Sequence, residues 1–131
     1  MNLAGIKALV IDDSVYKAID ITRALEGCGI REVVRVRDQE TGFEKLYENA
    51  AAGTPFGLIV TDMHYPLEAG MEADYDAGFK LIERLKEERI KTPVIICSSV
   101  NYTEPGILGC VWYSAQRDLG RDFKEVLERL Q

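Results

Sequence analysis

Short apolar runs recur along the chain and alternate with stretches of helical spacing. The runs are Lys7–Ile11, Val33–Val36, Leu58–Thr61, Val94–Cys97 and Leu108–Tyr113, and each reads as a buried strand. Between them the apolar positions switch to helical spacing. Ala18, Ile19, Ile21 and Leu25 predict a helix that Ser14 caps and Gly27 and Gly29 close. Phe43, Leu46, Tyr47 and Ala50 predict a second helix over 41–52, and Phe79, Leu81, Ile82 and Leu85 a third over 78–89. Phe123, Val126, Leu127 and Leu130, at i, i+3, i+4 and i+7, mark a terminal helix. This alternation is the signature of βα units. Runs apolar on both faces belong to a parallel sheet covered by helices on both sides.

Two of these runs end in acids. Ala8-Leu9-Val10-Ile11 leads into Asp12-Asp13, and Leu58-Ile59-Val60-Thr61 leads into Asp62. In an open α/β sheet the carboxyl ends of the strands are where ligands sit. If the two strands are neighbours, three carboxylates converge, and like charges that close call for a cation between them.

Composition narrows the function classes. The 131 residues suit one domain with its own core. The balance of 16 Lys+Arg against 22 Asp+Glu gives −6, a surface that repels nucleic acid and anionic lipid. No apolar run reaches the roughly 20 residues of a membrane span, and the opening residues carry no signal-peptide pattern, so a cytoplasmic protein is expected. Cys28, Cys97 and Cys110 form no C-x-x-C pair and are read as buried reduced thiols. His64, the only histidine, is expected in an exposed loop.

An acid pair after the first strand, a lone Asp 50 residues on, and Ser98-Ser99 after the Val94–Cys97 run resemble the receiver domain of two-component response regulators. The resemblance covers nearly the whole chain. It implies a flavodoxin-like doubly wound (βα)5 fold with a parallel sheet in the order 2-1-3-4-5, spanning residues 1–131 without an output domain. It makes Asp62 the phosphoacceptor, a carboxylate able to form an acyl phosphate. Asp12 and Asp13 would hold Mg2+ with Asp62, and His64 would lend its backbone carbonyl. Met63-His64-Tyr65-Pro66 matches the family's acceptor loop. Ser98 stands where receivers place a hydroxyl that hydrogen-bonds the phosphoryl group and switches with it. Ser99 takes that role if the register slips by one. The implied partners are a sensor histidine kinase or phosphotransfer protein and a separate downstream protein, with the chain a monomer or weak dimer.

Three departures stand out. Receivers close their fifth strand with Lys-Pro, the lysine neutralising the phosphoryl charge; here Tyr113-Ser114 occupy those positions. A phenol is neutral near pH 7, so Arg117 is a candidate to swing back and restore the charge. Ten residues, Ser99 to Leu108, separate Ser98 from the next strand, which predicts a shortened or absent fourth helix. An insertion at 67–77 carries Glu68, Glu72, Asp74 and Asp76 with no Lys or Arg; a solvated loop is expected, with folding over the site or attraction of cations as the alternatives. The leading expectation is a stand-alone phosphorelay receiver, not an enzyme beyond self-phosphorylation and autodephosphorylation. The alternative is a pseudo-receiver that binds partners without phosphorylation. An Asp-nucleophile phosphatase would need Asp-x-Asp where Asp12-Asp13 are adjacent, and a flavodoxin-type loop would not place two acids against a phosphate.

Overall fold

Parallel pairing of the apolar runs builds the sheet in the computed structural model, which describes residues 2–130. Strands β1 (Lys7–Ile11), β2 (Glu32–Val36), β3 (Leu58–Thr61), β6 (Val94–Ser98) and β7 (Gly109–Trp112) pair in the order β2-β1-β3-β6-β7. That is the doubly wound order 2-1-3-4-5, and all four pairings are parallel. β4 (Tyr65–Pro66) and β5 (Ala73–Asp74) form a separate antiparallel pair.

Helix α1 (Val15–Gly27) and helix α4 (Leu119–Leu127) cover one face; α2 (Gln39–Ala51) and α3 (Ala77–Glu87) cover the other. Alternation along each strand divides the core accordingly. Ala8 and Val10 of β1 join Ile21, Leu25, Phe123 and Val126, while Leu9 and Ile11 join Phe43, Leu46, Leu81 and Leu85. Side-chain caps fix the helix starts: Ser14 accepts from the Lys17 N–H, Asp38 from Thr41 and Asp118 from Arg121.

Residues 99–108 contain turns and bends but no helix, as the short spacing predicts. The face assigned to α2 needs correction: Tyr47 and Ala50 are exposed, and the Tyr47 hydroxyl is held by Glu88 and Arg84 at the surface. The insertion is largely exposed, as expected, and it also carries a short hairpin. Tyr65 pairs with Asp74 and Pro66 with Ala73, and the Leu67 carbonyl accepts the Glu40 N–H at 2.9 Å. Within it the Asp74 carboxylate takes hydrogen bonds from Lys80 and the Asp76 N–H, which hold it below the usual carboxylate range. All three cysteines are free; Cys97 is buried, while Cys28 and Cys110 are only half-buried.

Candidate functional site

The register of the central strands sets the geometry. Ile11 lies opposite Thr61, so the next residues, Asp12 and Asp62, leave neighbouring strand ends together. Backbone bonds pin both, Asp12 N–H to the Val36 carbonyl at 3.1 Å and Asp62 N–H to the Ile11 carbonyl at 3.0 Å. Asp12, Asp13 and Asp62 each bring a carboxylate oxygen within 4.8 Å of the others. Asp12 is fully buried at its side chain and Asp62 is 15% exposed, which leaves Asp62 the accessible member of that pair.

A fourth charge, not expected from the sequence, completes the cluster. The Lys17 Nζ sits 3.0 Å from Asp12 Oδ2 and 2.9 Å from Asp62 Oδ1. Its side chain is 8% exposed. Burial opposes its charge, yet Asp12 and Asp62 more than compensate and raise its pKa. For Asp12 the balance runs the other way: burial outweighs Lys17 and the Ser14 N–H and holds the carboxyl above its usual range. The sequence did carry a signal, since Lys17, Ile21 and Leu25 lie at i, i+4 and i+8 on the buried face of α1. A lysine on an apolar stripe needs a buried partner.

Oxygen by oxygen, the carboxylates differ. Asp12 Oδ1 accepts the Ser14 N–H at 2.9 Å. Asp12 Oδ2 is buried and ion-paired to Lys17, but without the alignment of a hydrogen bond. Asp62 Oδ1 accepts the Met63 N–H at 2.7 Å besides facing Lys17. Asp62 Oδ2 takes part in neither contact and remains open to a ligand. Hard carboxylate oxygens, one of them buried without a hydrogen bond, suit Mg2+, which takes one or two carboxylates and retains waters.

The other expected residues stand as follows. Ser98 is buried at the end of β6, and its Oγ accepts the Val100 N–H at 3.2 Å; no contact joins it to the acids. Ser99 is exposed, and its carbonyl takes the Trp112 indole N–H at 2.9 Å. His64 is half-buried rather than exposed, and its ring forms a T-shaped pair with Tyr75 of the insertion, centroids 5.2 Å apart. Tyr113 donates its hydroxyl to Asp20, which pushes the phenol up to about 12, and its ring lies 5.6 Å below the Lys17 Nζ. Arg117 does not swing back. Its Nε and Nη2 grip Asp122 at 2.9 and 2.6 Å, five residues along the chain.

Two further devices shape the loop that follows Asp62. Thr61 Oγ1 lies 2.9 Å from the Tyr65 hydroxyl, which also receives Gln39 Nε2 at 3.4 Å, and all three residues are buried. Burial pushes the Tyr65 phenol up to about 12, so it stays a neutral post under the loop. Gly78, at the start of α3, donates its N–H to the Met63 carbonyl at 3.1 Å. A Cβ there would lie 2.8 Å from the Asp62 carbonyl oxygen, so glycine lets α3 approach Asp62. The insertion adds a wall: Pro66, Ala69 and Gly70 line a cavity of about 290 Å³ with Asp13, Arg37 and Asp38.

Sheet order, strand-end acids and missing helix can be set against solved structures. The chemotaxis response regulator CheY4 of Vibrio cholerae superposes with a TM-score of 0.66 at 20% identity, covering 96% of this chain and 98% of that one. This chain has the receiver-domain fold. A CheX–CheY complex with BeF3 and Mg2+ from Borrelia burgdorferi gives 0.71 at 16% identity, covering 94% and 87% of the two chains. The receiver domain of the histidine kinase CKI1 from Arabidopsis thaliana, complexed with Mg2+ and BeF3, gives 0.64 at 19% identity over 96% and 92%. No protein-family model and no curated protein sequence matches the chain. The chain thus shares the receiver fold with these structures at 16–20% sequence identity. Among the described residues no helix is long and apolar enough to cross a membrane.

Proposed function

We propose that this chain is a cytoplasmic response regulator receiver that accepts a phosphoryl group on Asp62 and signals through a separate protein. The observation that carries the reading is the meeting of Asp12, Asp13 and Asp62 at adjacent strand ends, with Asp62 Oδ2 open to an incoming group. The donor is a phosphohistidine on a sensor kinase or phosphotransfer protein. Asp62 Oδ2 attacks phosphorus, an O–P bond forms, and the P–N bond breaks with its electron pair leaving on the imidazole, which takes up a proton. Asp12, Asp13, Asp62 and the His64 backbone carbonyl would hold Mg2+. Bound there, the ion supplies charge neutralisation for the attacking carboxylate and the phosphoryl oxygens. Ser98 would turn its hydroxyl from its own loop toward the phosphoryl group. The Mg2+ and BeF3 named for the Borrelia and Arabidopsis proteins support this chemistry in the same fold.

Incubation with acetyl phosphate and Mg2+, followed by intact mass, tests it. The wild type gains one phosphoryl group, and Asp62→Asn gains none. Labelling that survives in Asp62→Asn overturns the assignment of the acceptor. One observation favours the pseudo-receiver instead: Lys17 already bridges Asp12 and Asp62, so the acids are partly neutralised without any ligand. On that reading neither protein is labelled, and partner binding is unchanged by Asp62→Asn.

A further inference from the structure

Tyr113 stands where a lysine is expected, and a different lysine stands beside the acids that it would serve. We propose that Lys17 is the counter-ion of the phosphoryl group, its ammonium arriving from α1 instead of from the last strand of the sheet. This inference rests on the phosphoacceptor reading of Asp62 and adds the residue that completes it.

Position is the first argument. Lys17 Nζ touches Asp62 Oδ1 at 2.9 Å and leaves Asp62 Oδ2 open, so a group bonded at Oδ2 forms next to a charge already in place. An ammonium has three donors. It is ion-paired to Asp62 Oδ1 and Asp12 Oδ2, which leaves donor capacity for a phosphoryl oxygen.

Support from below is the second. The alkyl stem lies on the buried stripe of α1 with Ile21 and Leu25. The Tyr113 ring underlies the ammonium at 5.6 Å, within cation–π range. Asp20, three residues after Lys17 on the same helix, fixes that ring through its hydroxyl. The aromatic at the lysine position therefore works as the seat of the substitute cation.

Elimination is the third. Arg117 is held by Asp122. Arg37 is exposed and reaches only the Asp13 backbone carbonyl, at 3.4 Å. Among the described residues no other Lys or Arg contacts the three carboxylates.

Calorimetric titrations of Mg2+, and then of beryllofluoride at saturating Mg2+, separate this role from a merely structural one. Removing the Lys17 charge takes a like charge away from the metal and a donor away from the phosphoryl mimic. Lys17→Met should bind Mg2+ at least as tightly as the wild type and beryllofluoride about tenfold or more weakly, as expected for one charge-assisted hydrogen bond. Lys17→Met/Tyr113→Lys, with the lysine returned to the strand, should recover beryllofluoride binding. Should Lys17→Met fail to fold, Lys17→Gln carries the same expectation. Unchanged beryllofluoride affinity, or equal weakening toward both probes, overturns the role of Lys17 and leaves the acceptor reading standing. A wild type that binds neither probe overturns the acceptor reading, and this inference with it.

Discussion

Substituting Gly78 by alanine tests how closely α3 is fitted to the acceptor loop, and Gly120 supplies the control. Each is the second residue of its helix, Gly78 in α3 and Gly120 in α4. A Cβ at Gly78 would stand 2.8 Å from the Asp62 carbonyl oxygen, 3.1 Å from Met63 Sδ and 3.2 Å from Met63 Cα. Two of those atoms are backbone, so the acceptor loop itself has to move. A Cβ at Gly120 meets nothing nearer than Asp118 Oδ1 at 3.7 Å, an ordinary contact. Overpacking costs about 1–3 kcal/mol, while replacing a helical glycine by alanine returns at most about 1 kcal/mol. Gly78→Ala should therefore lose up to about 2 kcal/mol net, a fall in Tm of up to about 8 °C for a domain of this size. Gly120→Ala should melt at or slightly above the wild type. Thermal and urea denaturation read both, and amide spectra should show Asp62 and Met63 shifted in Gly78→Ala alone. If Gly78→Ala is as stable as Gly120→Ala with those amides unmoved, the close approach argued for the site is wrong.

Other outcomes follow from the same contacts. Arg117→Ala should leave the beryllofluoride response unchanged, because the guanidinium is committed to Asp122. It should lower stability slightly near neutral pH. Asp122 is held below its ordinary value of 3.8 by Arg117, so the stability from this pair is present above that pH and is lost as pH falls. Melts from pH 7 to pH 3 should show the variant and wild type converging at the acid end. Tyr65→Phe removes the hydroxyl that joins Thr61 to Gln39 and should cost about 1–2 kcal/mol in urea denaturation, the penalty of a broken buried hydrogen bond.

Much of the fold was legible because strand and helix periodicities alternate cleanly. Runs such as Leu58–Thr61, apolar on both faces, belong in a parallel sheet, and the acids that end them mark its carboxyl edge. The ten residues from Ser99 to Leu108 leave no room for a full helix and its connections, and none forms. What escaped was the identity of the substitute cation. Arg117 was the nearer candidate along the chain, but its short-range partner Asp122 holds it. Lys17 lies far from Tyr113 in sequence, and its role depends on α1 packing across β1 toward β7, which no local pattern displays. The insertion is solvated as its charges suggest, but its hairpin was not legible. The pairing of Tyr65 with Asp74 depends on backbone hydrogen bonds that charge patterning does not report. His64 likewise pairs with Tyr75, a contact made only once that hairpin closes.

The central claim is that Asp62 receives the phosphoryl group at its open oxygen, beside a lysine delivered from α1. A crystal structure of the protein with beryllofluoride and Mg2+ tests this most directly. The account predicts beryllium bonded to Asp62 Oδ2, the metal held by Asp12 and Asp13, and the Lys17 Nζ within hydrogen-bond distance of a fluorine. Beryllofluoride bound to another carboxylate, or bound at Asp62 with Lys17 turned away into solvent, would contradict it.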